Sequence, residues 1–241
     1  MTKHSFKAFL EDYSQSKLQD ELRSDWGSVV FYRLPAFALA RIAIACSVGA
    51  MALTYLGIVL IALIATLAWM LPPQTALPWM IAASIAFNIL DCADGPLARA
   101  TNTTSRTGAY LDFASDVFYR NVMLASVGLV ADRLAPGATF PWLAVGLICG
   151  SLTTYARLNR SYIQKHMNVQ SIAAKPSRGT ADLIYNFLSG LDTLLPILTL
   201  LAWMLGFLEI LLIWLLLYTS IDAAIAVIQN YRLLSKQDIL K

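Results

Sequence analysis

Charge is scarce in this chain. Of its 241 residues, 18 are Lys or Arg and 15 are Asp or Glu, together 14%, where a soluble domain carries about 25%. Hydrophobic residues make up 58% and fall in long blocks. That combination excludes a soluble globular domain and points to an all-α integral membrane protein. Cysteine is almost absent. Cys46, Cys92 and Cys149 lie in or beside apolar segments without ligand spacing, so they read as small buried hydrophobes. The two histidines, His4 and His166, read as exposed loop residues. No internal repeat and no low-complexity linker interrupts the chain. The first 27 residues are polar and mixed in charge, which predicts no cleaved signal peptide. No separate basic domain exists to hold nucleic acid.

What is abundant is span-length apolar sequence. Residues 42–71 carry no charge, more than one span of about 20 residues needs. We place a first transmembrane helix at 51–71 and assign 28–50, with Arg33, Pro35 and Arg41 among apolar side chains, to an N-terminal amphipathic helix at the membrane interface. Its cations would sit among the headgroups. Further spans are expected at 76–98, 107–131, 140–157, 181–204 and 206–228, six in all. Pro72-Pro73, Pro136-Gly137 and Gly206 mark the outer turns. The domain reading follows: a cytoplasmic and juxtamembrane segment at 1–50 and a six-helix membrane domain at 51–241.

Positive charge then sets the orientation. Sixteen of the 18 Lys and Arg lie in the N-terminal segment, the 99–106 and 157–178 loops or the C-terminal tail. Arg133 alone falls in an outer loop, and Arg120 lies within the third span. The positive-inside rule places the basic segments and both termini in the cytoplasm, as in a bacterial-type inner membrane. That basic face also favours anionic lipid headgroups.

Against this apolar background stand four carboxylates: Asp91, Asp94, Asp112 and Asp116. An acid at the centre of a membrane helix costs roughly 2.5–3.5 kcal/mol even on the mildest scale. Two divalent cations would balance four such charges. Helical spacing of three and of four puts each pair on one face. A short loop between two antiparallel spans lets the pairs meet near the cytoplasmic boundary. Hard oxygen ligands of this kind suit Mg²⁺, with Mn²⁺ as the substitute, and two ions could clamp a pyrophosphate. Gly95 and Gly108 leave room for a nucleotide to approach the backbone. Ala98 keeps one face slim, and Arg99 can pair with a phosphate oxygen.

Asp91-Cys92-Ala93-Asp94-Gly95-Pro96-Leu97-Ala98-Arg99, then Gly108, Asp112 and Asp116 after gaps of eight, three and three residues, resembles in full the signature of the CDP-alcohol phosphotransferase family. The resemblance implies metal ligands at Asp91, Asp94 and Asp112, and Asp116 as the base that takes the acceptor's proton while remaining near the metals. It implies a CDP pocket lined by Gly95, Ala98 and Gly108, with Arg99 on a phosphate. The implied reaction is attack of a small polar alcohol on CDP-diacylglycerol, with CMP leaving, and the family implies a homodimer. Thr54 and Gly57 match a further family pattern, whereas Ala50 and Met51 stand where many members have Pro-Asn. The Asp-Pro and following Lys usual for glycerol phosphate acceptors are missing, as is the Ser-Phe-Gly run of serine-type members.

Other readings use the same residues. A diacylglycerol choline or ethanolamine phosphotransferase keeps the motif but usually carries extra spans. A prenyltransferase separates its two acidic motifs widely in sequence. A cation transporter would place its acids at the midplane, without phosphate-binding Arg. Serine, glycerol 3-phosphate, inositol phosphate and choline all remain possible acceptors. Arg120, four residues after Asp116, is expected to pair with it or a neighbouring carboxylate. Arg157 and Arg178 are candidates for an acceptor or phosphate site. Asp192 and Asp222, inside spans, are either functional or held by neighbouring helices.

Overall fold

The computed structural model describes residues 6–16, 18–137, 140–166 and 190–239, and among them every regular element is helical. Four short helices come first: α1 (Phe6–Ser16), α2 (Leu18–Ser24), α3 (Trp26–Phe31) and α4 (Arg33–Ala45). Four long ones follow: α5 (Ala50–Met70), α6 (Pro73–Ala100), α7 (Arg106–Leu134) and α8 (Trp142–His166). The described chain closes with α9 (Leu195–Met204) and α10 (Leu208–Ile239).

Among the described residues three helices are long and apolar enough to cross a membrane: α5, α6 and the first 28 residues of α10. On α5 the buried positions include Thr54, Gly57, Ile61, Ile64 and Ala68, spaced three and four apart, so one stripe packs inward. Tyr55, Leu56, Val59 and Leu63 on the other faces stay exposed. Large apolar side chains on every face are what a lipid-bathed helix requires. Helix α6 is the hub, with most of one continuous stretch buried from Ala76 to Leu97. Pro73 opens it at the first turn, where a missing N–H costs nothing. Asn102, at φ 55°, turns the chain away just beyond its end, in the left-handed region that asparagine tolerates.

The α7–α8 pair is closer than the spacing of large residues would allow. A Cβ at Gly128 would stand 2.3 Å from the Trp142 carbonyl oxygen, and one at Gly146 the same distance from that of Leu124. Small residues let the two backbones touch, the usual means of helix association in lipid. The Asp132 carboxylate at the end of α7 accepts the backbone N–H groups of Trp142 (2.7 Å) and Leu143 (2.9 Å). It thereby caps α8 from a neighbouring helix. Arg133 donates to the Ala68 (2.6 Å) and Trp69 (3.2 Å) carbonyl oxygens in the last turn of α5, where a cation is favoured.

Helix limits differ from the expected spans mainly at the basic ends. Helix α8 continues past 157 to His166, and α10 continues to Ile239, so the expected loop after 157 begins as helix and His166 closes α8. Hydropathy ends where the apolar run ends, but backbone hydrogen bonding does not. Of the expected 181–204 span, residues 181–189 lie outside the described residues; Gly190–Asp192 are helical and α9 supplies the rest.

The segment expected as one interfacial helix over 28–50 is two helices, α3 and α4, meeting at Tyr32. On α4, Ala36, Phe37, Ala40 and Ala43 are buried and share a core with Leu90, Cys92, Ala93 and Leu97 of α6. Phe9 stacks on Phe37 and Tyr13 meets it edge-on. Arg41 is exposed, as a headgroup cation should be. Arg33 corrects that expectation: its side chain is only 14% exposed and is ion-paired to Glu21.

Candidate functional site

Helix α6 carries its whole motif, Asp91 to Arg99, in helical conformation and ends at Ala100. After a short connection Ser105 caps α7, accepting the Gly108 N–H at 3.0 Å. Serine is a preferred residue at this position, and the cap fixes where the second half of the motif begins. Asp112 and Asp116 follow on α7, one turn apart. The loop therefore brings four carboxylates together at the α6–α7 end of the bundle.

Each acid has a different setting. Asp94 is buried, and Thr54 Oγ1 donates to its Oδ2 at 2.8 Å. Thr54 belongs to the inward stripe of α5, so the third helix orients one carboxylate of the motif. Asp91 is half-buried. The charges of Asp116, Asp112 and Asp94 all act on it, and the cation opposing them is Arg120. Asp112 is exposed. Asp116 is ion-paired to Arg157 and, at 3.3 Å, to Arg120. Arg120 also pairs with Asp192, and the Arg157 guanidinium lies 5.4 Å from the centre of the Phe113 ring. A linked chain of charges thus runs Asp192–Arg120–Asp116–Arg157, across α7, α8 and the helical residues Gly190–Asp192 before α9.

The expected substrate-binding residues divide. Gly95 and Ala98 are half-buried and Arg99 is exposed, all on the last turns of α6. A Cβ at Gly95 would meet only Arg99 Nη1 at 3.5 Å, and one at Gly108 would meet Ser105 Oγ at 3.2 Å and Met51 Sδ at 3.7 Å. Neither glycine is jammed against backbone as Gly128 and Gly146 are; Gly95 leaves room, whereas at Gly108 a side chain would crowd the capping Ser105 hydroxyl. Arg157 stands in the site itself, on Asp116. Arg178 lies outside the described residues. Asp222 is held by Arg160 of α8, 3.1 Å between Nη1 and Oδ2, which assigns it to helix pairing. Asp192 joins the charge network of the site.

Several neighbours were not legible beforehand. Tyr119, one turn beyond Ser115, stacks on Phe87 with ring centres 4.2 Å apart, and its hydroxyl accepts from Asn88 Nδ2 at 3.0 Å and meets Ser84. That buried cluster holds α7 against α6 just outward of the acids. Asp25, which caps α3, accepts a hydrogen bond from Thr193 beside Asp192. Burial pushes the Asp25 carboxyl up, against the bonds from Thr193 and Ser28. Burial and the adjoining Glu21 carboxylate likewise push the Tyr13 phenol up.

Four carboxylates offer the hard oxygen donors that Mg²⁺ takes, and the charges of three of them act together on the fourth, Asp91. The donor chemistry fits a divalent ion. Among the described residues, however, no three Asp, Glu, His or Cys side chains are drawn together as a finished metal cage. What is present is two acidic pairs within electrostatic reach of one another, with Asp94 oriented by Thr54 and Asp116 by two guanidinium groups.

No curated protein matches the chain. The family model for CDP-alcohol phosphatidyltransferase matches residues 47–228, from just before α5 to within α10, and takes in the whole acidic motif. Members of that family pass a substituted phosphate from a CDP-alcohol to an alcohol in lipid membranes and generally depend on a divalent metal. The match runs over most of the chain and across all four aspartates, and the chain therefore belongs to the CDP-alcohol phosphatidyltransferase family.

Proposed function

We propose that the protein transfers a phosphatidyl group from CDP-diacylglycerol to a small polar alcohol, releasing CMP, with two Mg²⁺ ions held by Asp91, Asp94, Asp112 and Asp116. The observation that carries this reading is the meeting of both acidic pairs at one end of the α6–α7 hairpin, with Gly95 open beside them. Mn²⁺ is the natural substitute. In this reading six helices span the membrane: α5, α6, α7, α8, the 181–204 segment and α10. Residues 1–50 form the juxtamembrane segment and 51–241 the membrane domain. The basic ends, both termini and the acids face the cytoplasm of a bacterial-type inner membrane, and the protein works as a homodimer.

The residues divide the work. Bound divalent ions would neutralise the pyrophosphate and the leaving CMP oxygen. The faces at Gly95, Ala98 and Gly108 accept the nucleotide, and Arg99 holds a phosphate oxygen. Asp116 takes the proton of the acceptor hydroxyl as its oxygen attacks phosphorus. Arg120, four residues on along the same helix, holds the carboxylate in one place, and placement is where much of a general base's effect comes from. Arg157 can exchange Asp116 for an acceptor phosphate, and Arg178 stands as a second cation for that task.

Substitution of Arg157 tests the acceptor side. With an acceptor that carries a phosphate, Arg157→Ala should raise the acceptor's KM about ten- to hundredfold, since charge-assisted contacts contribute roughly 1.5–3 kcal/mol. The KM for CDP-diacylglycerol should move far less. Steady-state kinetics with labelled alcohols, and identification of the lipid formed, measure both. Equal KM values in variant and parent would point instead to an uncharged or zwitterionic acceptor.

A further inference from the structure

Proline at position 96 poses a structural problem in the middle of the motif. Helix α6 runs through Pro96 without ending. A proline has no N–H to give to the carbonyl four residues back, and its ring crowds that carbonyl. The carbonyl in question belongs to Cys92, which lies between Asp91 and Asp94. A buried carbonyl deprived of its donor needs another.

Arg33 provides one. Its Nη1 donates to the Cys92 carbonyl oxygen at 3.2 Å. The guanidinium is itself held in place. Its Nε donates to Glu21 Oε2 at 2.8 Å and its other terminal nitrogen pairs with Glu21 Oε1. Tyr13 donates to Glu21 Oε2 at 2.7 Å, and its ring centre lies 5.2 Å from the guanidinium carbon. Ser28 approaches the Cys92 sulfur at 3.9 Å. Residue 92 is thus gripped by α3 and α4 through both backbone and side chain. All these gripping residues precede the family match, which begins at residue 47.

We propose that Arg33 is a positioning residue that replaces the backbone hydrogen bond Pro96 removes, and so sets the spacing of Asp91 and Asp94 on their helical turn. The Arg33–Glu21–Tyr13 unit braces the acidic pair from the N-terminal segment without touching substrate. This inference rests on the reading of Asp91 and Asp94 as metal-holding residues, but the brace itself has a readout in stability that does not. Without the brace the turn between the two acids loses its fixed length. Ligating groups must be held within about 0.5 Å of the productive geometry.

The test is a cycle with Arg33→Lys and Pro96→Ala, singly and together, in the full-length protein in detergent. Lysine keeps the charge for Glu21, but a single ammonium cannot span both Glu21 and the Cys92 carbonyl. Alanine at 96 restores the N–H that the carbonyl lacks. Arg33→Lys alone should lower Tm by roughly 3–6 °C, cut CMP release from CDP-diacylglycerol about tenfold or more, and raise the Mg²⁺ concentration needed for half-maximal rate. In the Pro96→Ala background, where the carbonyl has its backbone donor again, the same change should cost less than about 1 °C and less than about twofold in rate. Equal losses in both backgrounds, or none in either, would overturn the proposal. If Arg33→Lys yields no folded protein, recovery of folded protein by Pro96→Ala supports the brace, and failure there too overturns it. Absence of CMP release from the parent protein would count against the proposed reaction alone, because the Tm cycle still reads the brace.

Discussion

Asp112→Ala protein is expected to insert and fold like the parent and to lose nearly all transferase activity, and Asp91→Ala is expected to do the same. Asp112 is exposed at the end of the bundle, so its removal opens no cavity and breaks no core contact. Asp91 sits half-buried among three other carboxylates, so removing its charge relieves repulsion in the metal-free protein. Asp91→Ala should therefore be at least as heat-stable as the parent without Mg²⁺, and Asp112→Ala should stay folded. They should lose the stabilisation that Mg²⁺ gives the parent, which follows the ratio of ion concentration to Kd. Thermal unfolding with and without Mg²⁺, beside a CMP-release assay, measures both. Full activity of either variant at ordinary Mg²⁺ would remove the two-metal reading.

Asp116→Asn should be the second severe lesion, and a different one. The amide nearly matches the carboxylate in shape but cannot take up the acceptor's proton. A loss of about 10²–10⁴-fold in kcat is expected for removal of a positioned base. The structure adds a consequence: Asp116 is the shared partner of Arg120 and Arg157. Arg120 keeps Asp192, so the helix pairing persists, whereas Arg157 loses its carboxylate. CDP-diacylglycerol binding should survive. Loss of nucleotide binding together with activity would recast Asp116 as an indispensable metal ligand rather than the base.

How much of this could be read from the chain depends on the range of each interaction. The acidic motif was legible because its spacing is local: three and four residues on a helix give one face, and a short loop returns the chain. Arg120 on Asp116 follows the same rule. Thr54 was visible as a family position, but its bond to Asp94 joins residues 40 apart in sequence and depends on how α5 lies against α6. The ion pairs of Asp192 and Asp222 were open for the same reason. Sequence alone makes Arg33 a headgroup cation, because a lone Arg in an apolar segment ordinarily snorkels. The demand for it was written in Pro96, but not which distant donor would answer. The ends of α8 and α10 were set too early because hydropathy marks where lipid contact stops, not where helical hydrogen bonding does. Gly128 and Gly146 carried no signal beyond their size, and only the α7–α8 contact shows what they permit.

The most direct test of the central claim is CMP release by the purified protein from CDP-diacylglycerol, with Mg²⁺ and a mixture of serine, glycerol 3-phosphate, inositol phosphate and choline. CMP should appear together with a new phospholipid, at a rate abolished by chelating the metal and restored by adding it back. No CMP from CDP-diacylglycerol under these conditions, with CMP instead released from CDP-choline or CDP-ethanolamine when diacylglycerol is the acceptor, would contradict it.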